Sequence, residues 1–195
     1  ARYKAFLGDR SFEQEYLALY ELEVEDLDAL QAVSDEHMRR IEADEMHRSP
    51  PETIDRDNVR SMYFAETGPR LGGHDDVPET LFMPFTEPVS EEDDEEFNRW
   101  YQEVQLPEVL DVPGFSAASR YKETGMNMTG RPWPINFPYL ALYELGDGTK
   151  EAFENAMKEL RRRISEGDRM EISDALGSDK ITQVYSRITD RISAI

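Results

Sequence analysis

The chain has 195 residues, enough for one large domain or two small modules around a shared core. Its 42 acidic against 22 basic residues give a formal charge of −20, which argues against nucleic acid and anionic membranes as partners and reads as a well-solvated acidic surface, suited to a salty environment. Cysteine is absent, so disulfides, thiolate catalysis and Cys-ligated metals are out, and no apolar run approaches the ~18 residues of a membrane helix; the cytoplasm is the expected compartment.

In chain order, Ala1–Leu7 reads as a strand that Gly8–Ser11 turns into a second strand, Tyr16–Leu22. Val24, Leu27, Leu30, Ser34, Met38 and Ile41 then recur at helical spacing, until Ser49-Pro50-Pro51 ends the pattern. Val59–Thr67 is strand-like, and residues 68–78, with Gly72-Gly73 and two prolines, read as a linker. Thr80–Phe85 predicts a strand in which Pro84 suggests a bulge. Ser90 is placed to cap a helix whose acidic first turn, Glu91–Glu96, suits the positive end of the helix dipole. Phe97, Trp100, Tyr101 and Val104 form its buried stripe, and Pro107 breaks or kinks it. Then come a strand at Phe115–Lys122, a long loop at 123–138, a strand at Tyr139–Leu145, a helix capped by Thr149 and a last strand at Ile181–Ile188. In that helix Phe153, Met157, Leu160 and Ile164 mark the apolar face.

The strand Tyr139–Leu145 repeats letter for letter the Tyr-Leu-Ala-Leu-Tyr-Glu-Leu of Tyr16–Leu22. It does not alternate apolar with polar, so it reads as buried on both faces. Arg2-Tyr3-Lys4 matches Arg120-Tyr121-Lys122, and Val59, Met62 and Tyr63 match Ile181, Val184 and Tyr185. The pattern is an internal duplication. Its second copy, residues 79–195, reads β-α-β-β-α-β, the ferredoxin-like order. The first, residues 1–67, holds only the last four elements. Its opening strand and helix are expected upstream, with Ala1 not the native N-terminus. The predicted fold class is therefore α+β: two tandem ferredoxin-like modules whose two facing sheets close an α/β barrel with helices outside.

The string Phe97-Asn98-Arg99-Trp100-Tyr101, followed by Gln105-Leu106-Pro107-Glu108-Val109-Leu110, Val112-Pro113-Gly114-Phe115 and Arg120-Tyr121, resembles the EthD-like branch of the dimeric α/β-barrel superfamily. The resemblance implies a small enzyme or polyketide-tailoring protein acting on hydrophobic aromatic or lactone-like substrates, without metal or organic cofactor. Many relatives carry His two residues before the Pro, where this chain has Gln105, and Gln cannot exchange a proton near neutral pH.

Glu144, with its twin Glu21, is expected opposite Arg120 (and Arg2) in a cross-strand ion pair, or else is a general base whose pKa burial raises. His37, on an apolar helical face, reads as a packed core histidine or a substrate contact; His47 and His74 fall in loops, and three scattered histidines show no metal-ligand spacing. Trp100, Tyr101, Tyr121 and Tyr143 are core fillers or cavity walls. Residues 125–130, with Trp133 and Phe137 behind them, suit equally a lid over a hydrophobic ligand or a contact with another subunit, as in a homodimer. The Asn127-Met128-Thr129 sequon is read as chance.

The expected activity is cofactor-independent acid–base chemistry, a dehydration, isomerisation or cyclisation, on a small hydrophobic molecule. Gln105 and Asn98 would supply polar contacts, Arg120 would hold an anionic or enolate oxygen, and Tyr143 or Glu144 would move the proton. Trp100 and Trp133 would be walls. The alternatives are a non-catalytic ligand-binding or structural module, and a cofactor-free oxygenase of the same superfamily.

Overall fold

A computed structural model describes residues 1–8, 14–45, 54–73, 77–127, 135–168 and 172–190. Trp133, His47, His74 and residues 128–130 of the predicted lid lie outside the described residues.

The molecule is mixed α+β, built on one antiparallel sheet curled into a half-barrel. The strands are β1 (Arg2–Gly8), β2 (Tyr16–Ala18), β3 (Phe64–Glu66), β4 (Leu71–Gly72), β5 (Thr80–Thr86), β6 (Phe115–Glu123), β7 (Tyr139–Leu145) and β8 (Ile181–Thr189). They lie in the order β2-β1-β8-β5-β7-β6-β3, with β4 also on β6. The predicted pair of facing sheets is thus one continuous sheet, and among the described residues no ladder joins β2 to β3 to close a barrel.

The hairpins of the two halves share one register. Arg2, Tyr3 and Lys4 lie opposite Ala18, Leu17 and Tyr16, as Arg120, Tyr121 and Lys122 lie opposite Ala141, Leu140 and Tyr139. The last strand of each half pairs with the first hairpin strand of the other, β8 with β1 and β3 with β6. From Thr80 onward the elements follow the expected β-α-β-β-α-β course, with strand order β8-β5-β7-β6.

Two apolar layers sandwich the central strands. On the helix side Tyr139, Ala141, Tyr143 and Leu145 pack with Phe97, Trp100, Leu106, Phe153 and Leu160. On the inner side Leu140 and Leu142 join Tyr3, Leu81, Phe85 and Tyr185. β7 is accordingly buried at all seven positions, as its composition requires. Its twin behaves differently: only Tyr16–Ala18 is strand, at the sheet's edge, and Tyr16, Tyr20 and Leu22 are exposed.

The helices follow their local signals. The first, α1 (Leu27–Glu42), starts where the Asp26 carboxylate accepts from the Ala29 amide at 2.8 Å. The helix α2 (Asp94–Trp100) follows a 3₁₀ turn at Glu91–Asp93, and α3 is Leu106–Leu110. The last, α4 (Lys150–Glu166), is capped by Thr149, whose hydroxyl accepts from the Ala152 amide at 3.2 Å. Pro107 does not break its helix. A π turn at Tyr101–Gln105, in which the Leu106 amide donates to the Tyr101 carbonyl, widens the spiral just ahead of the residue that lacks an N–H.

Two local expectations are corrected. Pro84 makes no bulge: β5 keeps one register against both neighbours, and its ladder to β7 merely lapses at Met83 and Pro84. The predicted linker contains β4, where Gly72 (φ 66°) runs so close to β6 that a Cβ would lie 2.4 Å from the Ser116 carbonyl oxygen.

Twin positions should therefore differ in stability. Leu142→Ala should cost ~2–5 kcal/mol and Leu19→Ala, its half-buried counterpart just past β2, less than half as much, read as the urea midpoint of each variant.

Candidate functional site

A partly buried cluster of polar side chains forms where β6 and β7 meet α2. Strand alternation turns Arg120, Ala118, Tyr143 and Ala141 toward the helices, and Arg120 is 1% exposed. Its guanidinium carbon lies 3.7 Å from the Tyr101 ring centroid, 4.8 Å from that of Phe97 and 5.1 Å from that of Tyr139. Nη2 donates to Asn98 Oδ1 at 3.0 Å. Among the described residues Nε and Nη1 have no hydrogen-bond acceptor. Burial pulls the Arg120 pKa down from its ordinary value, against the opposing influence of the surrounding tyrosines.

Asn98 relays the contact outward. Its Nδ2 donates to the Tyr139 hydroxyl at 3.0 Å and to the Asp94 carbonyl, one helical turn back, at 2.8 Å. The Tyr139 hydroxyl donates to Asp94 Oδ1 at 2.5 Å, and Lys122 Nζ stands 3.6 Å from the same oxygen. Lys122 is raised above its ordinary pKa, first by the Tyr139 hydroxyl and then by Asp94. The line Arg120–Asn98–Tyr139–Asp94 thus leads from a buried guanidinium to a carboxylate at the half-exposed start of α2.

The structure brings some predicted site residues together and parts others. Arg120, Asn98 and Tyr101 are in contact. Trp100 packs edge-on against Tyr101, and buried Tyr143 stacks on Phe82 in the same layer. Gln105 is half-buried on the π turn.

Glu144 does not face Arg120. Arg120 lies opposite Ala141 and Glu144 opposite Ala117, and Glu144 follows Tyr143 on the strand and so points to the other face. Its partner is Arg70, from the segment before β4, at 2.7 Å. In the first half Arg2 lies opposite Ala18, not Glu21. Tyr121 is half-buried in the inner layer, apart from Arg120. His37 is half-buried on α1, so the packed core histidine expected there is corrected: its helix buries Leu30 and Ser34 instead.

The inner layer holds phenols that burial makes weak acids. The Tyr3 hydroxyl is pushed up to about 12, by burial first and then by the Glu144 carboxylate; Tyr121 and Tyr185 move the same way, again through burial. Among the described residues no group of three His, Cys, Asp or Glu is placed to hold a metal ion. No helix among them is long and apolar enough to cross a membrane.

Sequence reading missed Asp94, Tyr139 and Arg70. The four-residue spacing of Asp94 and Asn98, which puts both on one helix face, was the signal available for the first. No protein-family model matches the chain, and no curated protein matches it.

Two measurements test this geometry. A buried guanidinium without a carboxylate is costly, so Arg120→Met should leave the fold equally stable or stabilise it by ~1–2 kcal/mol in urea unfolding. A loss above ~3 kcal/mol would make Arg120 a structural keystone instead. For the tyrosines, a phenol raised from ~10 when unfolded to about 12 when folded keeps its proton longer in the native state. Its stabilising contribution is complete below pH ~10 and is lost as pH rises through about 12. Unfolding titrations should show stability falling by ~2 kcal/mol on account of Tyr3 across that window, with a shallower fall in Tyr3→Phe.

Proposed function

We propose that this chain is a doubled ferredoxin-like protein of the EthD-like type, a cofactor-independent enzyme that binds a small hydrophobic substrate between sheet and helices and polarises one of its oxygens at Arg120. The observation that carries the reading is the Arg120 guanidinium, buried in an aromatic box with two N–H-bearing nitrogens that lack acceptors among the described residues. A donor pair of that kind, desolvated and held flat by Tyr101, is suited to an enolate, phenolate or carboxylate oxygen, whose charge it would favour strongly in so dry a site. The shared hairpin register and the reciprocal pairing of end strands support the doubled architecture.

In this reading Asn98 fixes the guanidinium, and the Tyr143 hydroxyl, on the same side of the sheet, is the group for proton transfer. Gln105 supplies a neutral polar contact from a π turn, a distortion frequent at functional sites. Trp100 and Tyr101 form the apolar wall. Glu144, on the opposite face and paired with Arg70, has no part in this chemistry.

A non-catalytic α/β module is the second reading. The tight burial of Phe97, Trp100 and Tyr143 around the guanidinium favours it, since a packed core leaves a ligand to displace side chains.

Para-nitrophenol separates the two, because its absorption reports its ionisation. The enzyme reading expects the bound probe to be largely phenolate near pH 6, with affinity at least ~10-fold weaker in Arg120→Met. Equal binding by both proteins, or none by either, would favour the structural module.

A further inference from the structure

The two halves carry the same outward-facing hairpin residues in opposite states. In the second half Arg120, Tyr139, Ala141, Tyr143 and Leu145 are each no more than 1% exposed under α2, α3 and α4. Their counterparts in the first half are Arg2, Tyr16, Ala18, Tyr20 and Leu22, identical residue for residue. All five are exposed, Tyr16 at 60%, Tyr20 at 74% and Leu22 at 49%. Even the local cation contact is duplicated: Lys4 Nζ lies 5.4 Å from the Tyr16 ring and Lys122 Nζ 4.9 Å from the Tyr139 ring. An apolar, aromatic face of this kind on an acidic protein marks a contact surface.

The sheet repeats the asymmetry. Every junction along β2-β1-β8-β5-β7-β6-β3 is antiparallel, so the two terminal strands run in the same sense. They cannot pair antiparallel with each other, and one further strand antiparallel to both would complete the alternation. In the second half the corresponding place, between β7 and β8, is occupied by β5. β5 leads directly into α2, the helix that covers the second hairpin.

We propose that the edge of β2, unpaired among the described residues, and the exposed outer face of the β1–β2 hairpin are one docking surface, and that its occupant is a strand–helix unit with the chemistry of Thr80–Leu110. The second half specifies that chemistry. The strand is apolar on both faces and lies along β2 as β5 lies along β7, setting residues opposite Leu22, Tyr20 and Leu17 as Thr80, Phe82 and Phe85 lie opposite Leu145, Tyr143 and Leu140. The helix carries an acidic residue and an asparagine four apart, which meet the Tyr16 hydroxyl and the Arg2 guanidinium as Asp94 and Asn98 meet Tyr139 and Arg120. Aromatic residues at the positions of Phe97 and Tyr101 cover Arg2. The strand contributes backbone hydrogen bonds, the mode by which extended segments join sheet edges, and the helix buries the aromatic face. None of this depends on a catalytic role for Arg120.

The test supplies the unit from this chain's own sequence. Residues 79–114 are added as a separate polypeptide, and in a second format are fused ahead of Ala1 through a flexible Gly/Ser linker, which raises their effective concentration. Hydrogen exchange read by mass spectrometry should slow across Tyr16–Leu22 and Phe64–Glu66 in both formats. The separate polypeptide should bind with one-to-one stoichiometry. Tyr20→Glu in the chain, an exposed position, or Phe97→Asp in the added segment alone, should weaken binding at least ~10-fold. Unchanged exchange at those strands in both formats would overturn the proposal. So would a dimer of the unmodified chain that Tyr20→Glu dissociates, since that would assign the face to a second copy.

Discussion

The molecule depends on shielding a strand that has no wet face. Tyr139–Leu145 carries one charge and six apolar or aromatic residues, so it can exist as strand only with a layer against each side. The layers come from different sources. α2, α3 and α4 cover one side, while the inner side is covered by residues of the curled sheet itself, Tyr3, Leu81, Phe85 and Tyr185 among them. Curling brings the two hairpins into one inner cluster, which is why β1 and β3, contributed by the first half, sit beside β8 and β6 of the second. Sequence identity does not substitute for those layers. Among the described residues the same seven at 16–22 have no such helical cover and keep only three residues of strand.

A second constraint follows from strand geometry. Neighbouring residues on β6 and β7 report to opposite sides of the sheet. Arg120 and Tyr143 therefore belong with the helices, while Tyr121 and Glu144 belong to the inner layer. Two kinds of chemistry are kept apart in this way. On the helix side a guanidinium is stripped of water and left without a carboxylate, held by one amide and three aromatic rings. On the inner side a carboxylate is neutralised by Arg70 and surrounded by phenols that hold their protons tightly. On the helix side two nitrogens of one guanidinium have no acceptor among the described residues, and a charged group retained at such cost is the natural place to look for a ligand.

Much of this was legible in the sequence, because it rests on local chemistry. Periodicity placed both long helices, Thr149 and the residues around Ser90 marked helix starts, and the repeated heptapeptide identified the central strand. Six candidate site residues, Asn98, Trp100, Tyr101, Gln105, Arg120 and Tyr143, fall on one side of the sheet among α2, the π turn and the two strands, since they come from a single helix and a single hairpin.

The rest was decided only by tertiary structure. Whether Arg120 meets Glu144 turns on hairpin register and face, and a shift of a few residues between the hairpin strands changes the partner from Glu144 to Ala141. Arg70 reaches Glu144 because a segment that reads as linker folds onto β6, across 74 residues of chain. The π turn answers a proline that by sequence rules should have broken or kinked the helix. The unequal fate of the twin heptapeptides was hidden for the same reason. Composition determines what a strand can tolerate on its two faces, but only the remaining chain determines what is placed against them.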